Sequence, residues 1–166
     1  MRVGAAKPDT MEHILALLTR SNELACRVAL KHGLRIGDVL ELRTVQLQQR
    51  SFVIKEQKTG KRRKIVFDDV ERVQLASISG KVFVFEHRTN HLKHRTRQAV
   101  YKDIKRAAQA LRIKGVVGTH TMRKSYAVYR YKACGDIRKI KALLNHSDEA
   151  VTMLYALAAE VEQRKG

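Results

Sequence analysis

The sequence predicts an α+β fold, mostly α-helical, with a small three-stranded antiparallel sheet. Three observations predict it. Apolar residues recur at helical spacing along most of the chain. A central stretch, residues 44–67, switches to β-branched, partly alternating runs. Pro8 is the single proline, so nothing inside the later helical patterns breaks them. At 166 residues and 44% hydrophobic content, the chain can bury a core and is too apolar for disorder.

The elements follow in order. Thr10 is placed to cap a first helix, in which Met11, Ile14, Leu15, Leu18, Leu24, Ala25, Val28 and Ala29 share a face. It frays near Ser21 and stops at Gly33. A short helix covers 37-GDVLELR-43. The segments 44-TVQLQQR-50, 51-SFVIKEQ-57 and 62-RRKIVF-67 form the meander, with 58-KTGK-61 as its glycine-containing turn. A helix over Asp69 to Ser77, a short strand 82-VFVF-85 and a polar loop 86-EHRTNHLKHRT-96 come next. Helices then run from Thr96 to Leu111, Thr121 to Ala133, Asp136 to Leu144, and from Asp148 onward; 115-GVVGT-119 is a loop. No repeat, low-complexity tract or linker divides the chain, so residues 1–166 read as a single domain.

Charge narrows the function. Thirty-four Lys and Arg face sixteen Asp and Glu, a net charge of +18. A small domain needs a charge of only about 2 to 8 for solubility. The excess points to a polyanion, and nucleic acid is the commonest. Aromatics make up 5% of the chain and Trp is absent, so stacking on single strands is poorly supplied. Phosphate contacts to double-stranded DNA fit better. No apolar run approaches the roughly 18 residues of a membrane span, and the start, MRVGAAKPDT, lacks a signal-peptide core. A soluble, cytoplasmic protein is expected. Cys26 and Cys134 match no CxxC spacing and suit a reducing compartment.

Several chemistries are excluded by what is missing. There is no GxSxG elbow and no GxxxxGK[ST] loop, and Gly115 and Gly118 lack the context of a dinucleotide site. His87, His91 and His94 lack a fourth ligand and cysteine company, so they read as a polar loop near phosphates and no metal or cofactor is expected. Carboxylates are too few for a two-metal site.

What remains is metal-free chemistry on phosphate. It needs a cationic clamp, a nucleophile, and groups that take and give protons. Arg35 sits at a helix junction between Leu34 and Ile36, with Asp38 placed to orient it. Lys58 lies at a hairpin tip, with Lys61 a competitor. His120 and Arg123 share a helix face in 119-THTMRKSYA-127. His146 follows in 143-LLNHSD-148, and Tyr155 in 152-TMLYALA-158. Tyr126, Tyr129 and Tyr131 sit mid-helix and read as core packing with a polar tip. Tyr126, one turn from Arg123, is the only rival nucleophile.

In this order the boxes resemble the catalytic domain of the tyrosine recombinases, the phage integrase family. "GLRIGDVLEL" resembles its first arginine box, "KTGKRRKIVF" its β-hairpin lysine box, "THTMRKSYA" its H-x-x-R box and "LLNHSDEAVTMLYA" its terminal H…Y box. The match covers roughly residues 10 to 158. It implies that Arg35 and Arg123 bind the scissile phosphate and that Tyr155 attacks it. It gives Lys58 the general-acid role, has His120 assist proton transfer, and has His146 hydrogen-bond the phosphate. Asn145 stands where the family usually has Gly, and Asp38 where it usually has Glu. The resemblance implies a single catalytic domain over 1–166, without the helical DNA-clamping domain usual before it. It also implies self-association on DNA, up to a tetramer, in a prokaryotic cell or encoded by a phage or mobile element. Lys61, Arg62, Lys93, Arg95, Arg97 and Lys124 are the expected DNA-backbone contacts. A catalytically silent DNA-binding module and a topoisomerase-like relaxing enzyme are the alternatives.

Overall fold

The computed structural model describes residues 8–113 and 117–144. Among the described residues the fold is mostly helical, with two small antiparallel hairpins, as the sequence predicts in class.

The first helix of the sequence reading is two helices, α1 (Pro8–Ala16) and α2 (Arg20–His32). The break has a physical cause. Thr19 takes an extended backbone, φ −61° and ψ 145°. Its N–H and hydroxyl donate to Asp103 Oδ2 at 2.9 and 3.0 Å, and the Asn22 side-chain amide donates to the same oxygen at 2.7 Å. A carboxylate borrowed from a distant helix thus starts α2. Apolar spacing runs across the break because both helices face one core.

Burial pushes the Asp103 carboxyl up, but hydrogen bonds from Thr19, Asn22 and Arg106 outweigh it and hold it below the usual carboxylate range. Its stabilising contribution is therefore fully present above the unfolded value of about 3.9 and is lost as pH falls through the folded value. Asp103→Asn is expected to lower stability by about 2 kcal/mol at neutral pH. The gap between variant and wild type, read as urea midpoints, should close on acidification below about pH 4. A gap that persists unchanged at pH 3 would contradict this.

Gly33 ends α2, and α3 (Ile36–Leu40) follows, wholly buried. Residues 44–50, expected to be a strand, instead contain a 3-10 turn over Thr44–Gln48. Arg72 takes the carbonyls of Leu47 and Gln48 at 2.9 and 3.3 Å, acceptors that a sheet would have needed. The predicted three-stranded meander is therefore a two-stranded hairpin, β1 (Ser51–Lys55) with β2 (Arg62–Val66), in register from Ser51↔Val66 to Lys55↔Arg62. Helix α4 (Asp69–Ala76) starts on a capping box in which Asp68 and Glu71 each accept from the other's backbone N–H.

The expected strand 82–85 shrinks to one bridge, Arg43↔Phe83. The expected polar loop instead holds a second hairpin, β3 (Glu86–His87) with β4 (Asn90–His94). Its cross-strand contact is polar, His91 Nδ1 to Glu86 Oε1 at 2.6 Å, and Leu92 is exposed, so no apolar alternation marks it in the sequence. Helices α5 (Arg97–Ala110), α6 (Thr119–Cys134) and α7 (Ile137–Leu143) fall where the pattern puts them. The helix expected from Asp148 lies outside the described residues.

One core joins α1, α2, α3, the first hairpin and α5, and Met122 of α6 plugs into it. A smaller cluster of Tyr126, Ala127, Ile140 and Leu144 ties α6 to α7, with Tyr131 packed against it. Tyr129 corrects the sequence reading: at 71% exposed it is a surface residue, while Tyr126 does pack. Cys26 and Cys134 are free thiols, and burial pushes Cys26 up to about 12, which leaves it inert. No helix among the described residues is long and apolar enough to cross a membrane.

Candidate active site

The site forms where α2, α3, α6 and the first hairpin meet. Gly33 turns the chain out of α2 in the left-handed region, φ 63°. Arg35 is the extended N-cap of α3, and its side chain is 12% exposed. Its Nη1 donates to Glu56 Oε2 at 2.8 Å. Glu56, which sits directly after β1, has a fully buried side chain.

Asp38 has a different job from the one expected of it. The carboxylate hydrogen-bonded to Arg35 is that of Glu56, while Asp38 Oδ1 accepts the Gln57 backbone N–H at 2.9 Å. Burial pushes the Asp38 carboxyl up, and Glu56 adds to this; the Gln57 hydrogen bond and the charges of Arg35 and Arg123 pull it back only partly. Asp38 thus anchors the Lys58 turn to α3.

Arg123 lies on the first turns of α6 and is 2% exposed. Its Nη1 donates to the Gly33 carbonyl and its Nη2 to the Leu144 carbonyl, both at 2.8 Å. The Gly33 carbonyl also accepts from Arg63 Nη1 at 3.4 Å, and Arg63 Nη2 donates to the His32 carbonyl. Arg63 Nη1 stands 3.9 Å from Glu56 Oε1. Three guanidiniums therefore gather on the 32–35 segment, opposed among the described residues by the two carboxylates of Glu56 and Asp38. Such an excess of positive charge at low exposure favours an anion.

Lys58 is exposed in the β1–β2 turn, as the sequence predicts. His120 is exposed on the first turn of α6, whose N-cap is Gly118, where a Cβ would lie 3.4 Å from the Tyr101 ring. Arg97 begins α5, and its side chain passes within 3.4 Å of where a Cβ on Gly37 would lie, so it borders the same site. Lys61, Arg62 and Lys93 are exposed and Arg95 is half-buried. Lys124 is buried at 7%, which takes it out of the surface set. His146 and Tyr155 lie outside the described residues. The histidine-rich hairpin brings no three potential ligands together among the described residues.

Sequence reading missed Arg63 and Glu56, and the signal was present. Phe52, Ile54 and Glu56 alternate on one face, as do Arg63, Ile65 and Phe67, so strand periodicity points both charged residues at the core.

The fold recurs in known structures. XerH site-specific recombinase, in a post-cleavage complex with palindromic difH substrate, superposes with TM-score 0.72 at 16% identity, over 98% of this chain and 52% of that one. A lambda integrase dimer bound to a COC′ core site gives TM-score 0.72 at 18% identity, over 93% and 48%. The fold is that of the tyrosine recombinase catalytic domains. The chain belongs to the phage integrase family, whose model matches residues 6–162. A probable integrase/recombinase, YoeC of Bacillus subtilis, is 29% identical over 74% of this chain and 70% of its own length. A tyrosine recombinase of Thermosipho africanus is 27% identical over 93% of this chain and 57% of its own. The chain thus spans between 48% and 70% of the length of these four proteins.

Proposed function

We infer that the chain is the catalytic part of a site-specific DNA recombinase or integrase that cuts and rejoins duplex DNA through a 3′-phosphotyrosyl intermediate. The observation that carries this is the gathering of Arg35 and Arg123 on one loop beside the Lys58 turn, within a family-wide match. Arg35 and Arg123 hold the non-bridging oxygens and balance the charge of the pentavalent transition state. Tyr155 Oη attacks phosphorus; the P–O5′ bond breaks, and Lys58 gives its proton to the leaving oxygen. His120 takes the tyrosine proton and His146 hydrogen-bonds the phosphate. The covalent link conserves the phosphodiester bond energy, so resealing needs no ATP. Copies of the chain assemble on DNA, up to a tetramer, in the cytoplasm of a prokaryotic cell.

A nicked duplex with a randomised core tests this. Covalent adducts captured in EDTA should yield a preferred core sequence, and peptide mapping should place the nucleotide on Tyr155. If no adduct forms from any core, the chain is a binding module. If relaxation of supercoils proceeds without synapsis, it is a topoisomerase-like enzyme.

On the hairpin's outer face Lys61 and Arg62 supply backbone contacts. Replacing both by Ala should weaken binding uniformly across sequences and flatten the log–log salt slope by about 2. An unchanged slope in a fluorescence-anisotropy titration would remove them from the interface.

A further inference from the structure

We propose that Glu56 is a positioning residue that sets the phosphate clamp and the proton donor with one carboxylate. The proposal deepens the recombinase reading and rests on it. The Glu56 Oε2 atom accepts from Arg35 Nη1 at 2.8 Å and from the Thr59 hydroxyl at 3.1 Å. Oε1 faces Arg63 at 3.9 Å. The backbone of Glu56 closes the turn as well. Its N–H donates to the Lys61 carbonyl at 2.9 Å, and its carbonyl accepts from Gly60 N–H at 2.8 Å. Lys58 lies inside that loop, next to Thr59. Glu56 therefore joins the turn that carries the acid to the arginine that holds the phosphate.

The geometry explains an otherwise costly feature. A fully buried carboxylate is tolerated only when paired and hydrogen-bonded, and a mobile hairpin tip is a poor mount for a proton donor. Placing the carboxylate at the root of the turn meets both needs. The Lys58 turn is then fixed relative to Arg35 through side chains, and Asp38 supports it through the Gln57 N–H at 2.9 Å.

Single-turnover adduct formation tests this on nicked suicide duplexes of the captured core. One duplex carries an ordinary scissile phosphodiester; the other carries a 5′-bridging phosphorothiolate, whose sulfur leaves without a proton. Lys58→Ala should slow the ordinary substrate about 100-fold and recover on the phosphorothiolate. Thr59→Val, which keeps the Arg35–Glu56 pair, should slow it about 10-fold and recover equally. Glu56→Ala should slow it about 100-fold and recover only in part, because the Arg35 share of the loss remains. Glu56→Gln, which keeps an acceptor for both donors, should lie between wild type and Ala. A merely structural role lowers both substrates alike. The proposal is overturned if Lys58→Ala recovers while the Glu56→Ala and Thr59→Val deficits stay the same on both substrates. It is equally overturned if Glu56→Ala cleaves as wild type does. Failure of Lys58→Ala to recover strikes instead at the acid assignment beneath it and takes this inference down with it.

Discussion

Arg123→Ala is expected to lose adduct formation by about 1,000-fold or more, since removing a single oxyanion-type donor costs about 100- to 1,000-fold and this residue brings a full charge with its donors. The same substitution removes two charge-assisted hydrogen bonds, to the carbonyls of Gly33 and Leu144, each 2.8 Å long. One tethers the end of α2 and the other the end of α7, so the guanidinium is a spacer as well as a charge. At about 1.5–3 kcal/mol for a hydrogen bond to a charged group, and with the relief of repulsion from Arg35 and Arg63 set against it, the fold should lose about 2 kcal/mol. The two effects separate in Arg123→Lys. An ammonium keeps the charge but cannot span both carbonyls, because the fork is lost. Lys should therefore recover part of the stability in a urea melt while cleavage stays at least about 100-fold down. Full cleavage by Arg123→Lys would show that charge alone suffices and that the planar fork has no catalytic share.

The burial of Arg123 also shows what sequence could and could not reveal about this site. The boxes around Arg35, Lys58 and the His120–Arg123 pair were legible because each sits at a helix start or hairpin tip, with a spacing dictated by local chemistry. The partners were not. Arg35 takes Glu56, twenty-one positions on, over the nearer Asp38, because β1 ends against α3 and delivers a buried carboxylate there. Likewise the α1–α2 break depends on Asp103, more than eighty residues away. Local propensity carries no trace of such borrowing. The 3-10 turn at 44–48 is the same lesson in the backbone: Thr44 and Val45 favour a strand, and Arg72 from α4 overrides them by taking the carbonyls. Helices α4 to α7 were readable because their caps lie in their own sequence, Asp68, Thr96 and Asp136 being the clearest. The charged core face of the hairpin was readable too, had alternation been applied to Glu56 and Arg63 as strictly as to the valines and isoleucines around them.

Gly33→Val should be the most damaging single substitution outside the reacting groups. Two constraints meet there. The residue sits at φ 63°, a conformation that costs a residue with a Cβ about 1–2 kcal/mol. A Cβ would also come within 2.5 Å of the Tyr126 ring, which is itself buried, so the ring must move, at about 1–3 kcal/mol. Together they predict a loss of about 3 kcal/mol or more for Val and somewhat less for Ala. The damage does not stop at stability. Tyr126 is one turn beyond Arg123 on α6, and the Gly33 carbonyl is the acceptor that both Arg123 and Arg63 use. A shifted ring and a rotated carbonyl move the clamp from both sides. Gly33→Ala should accordingly slow adduct formation even at temperatures where the variant is fully folded. A double-mutant cycle isolates the ring. In a Tyr126→Ala background the steric part vanishes, so Gly33→Ala should cost only its left-handed share, with a coupling of about 1–2 kcal/mol. Strict additivity would mean that the ring yields freely, and that the 2.5 Å approach places no demand on residue 33.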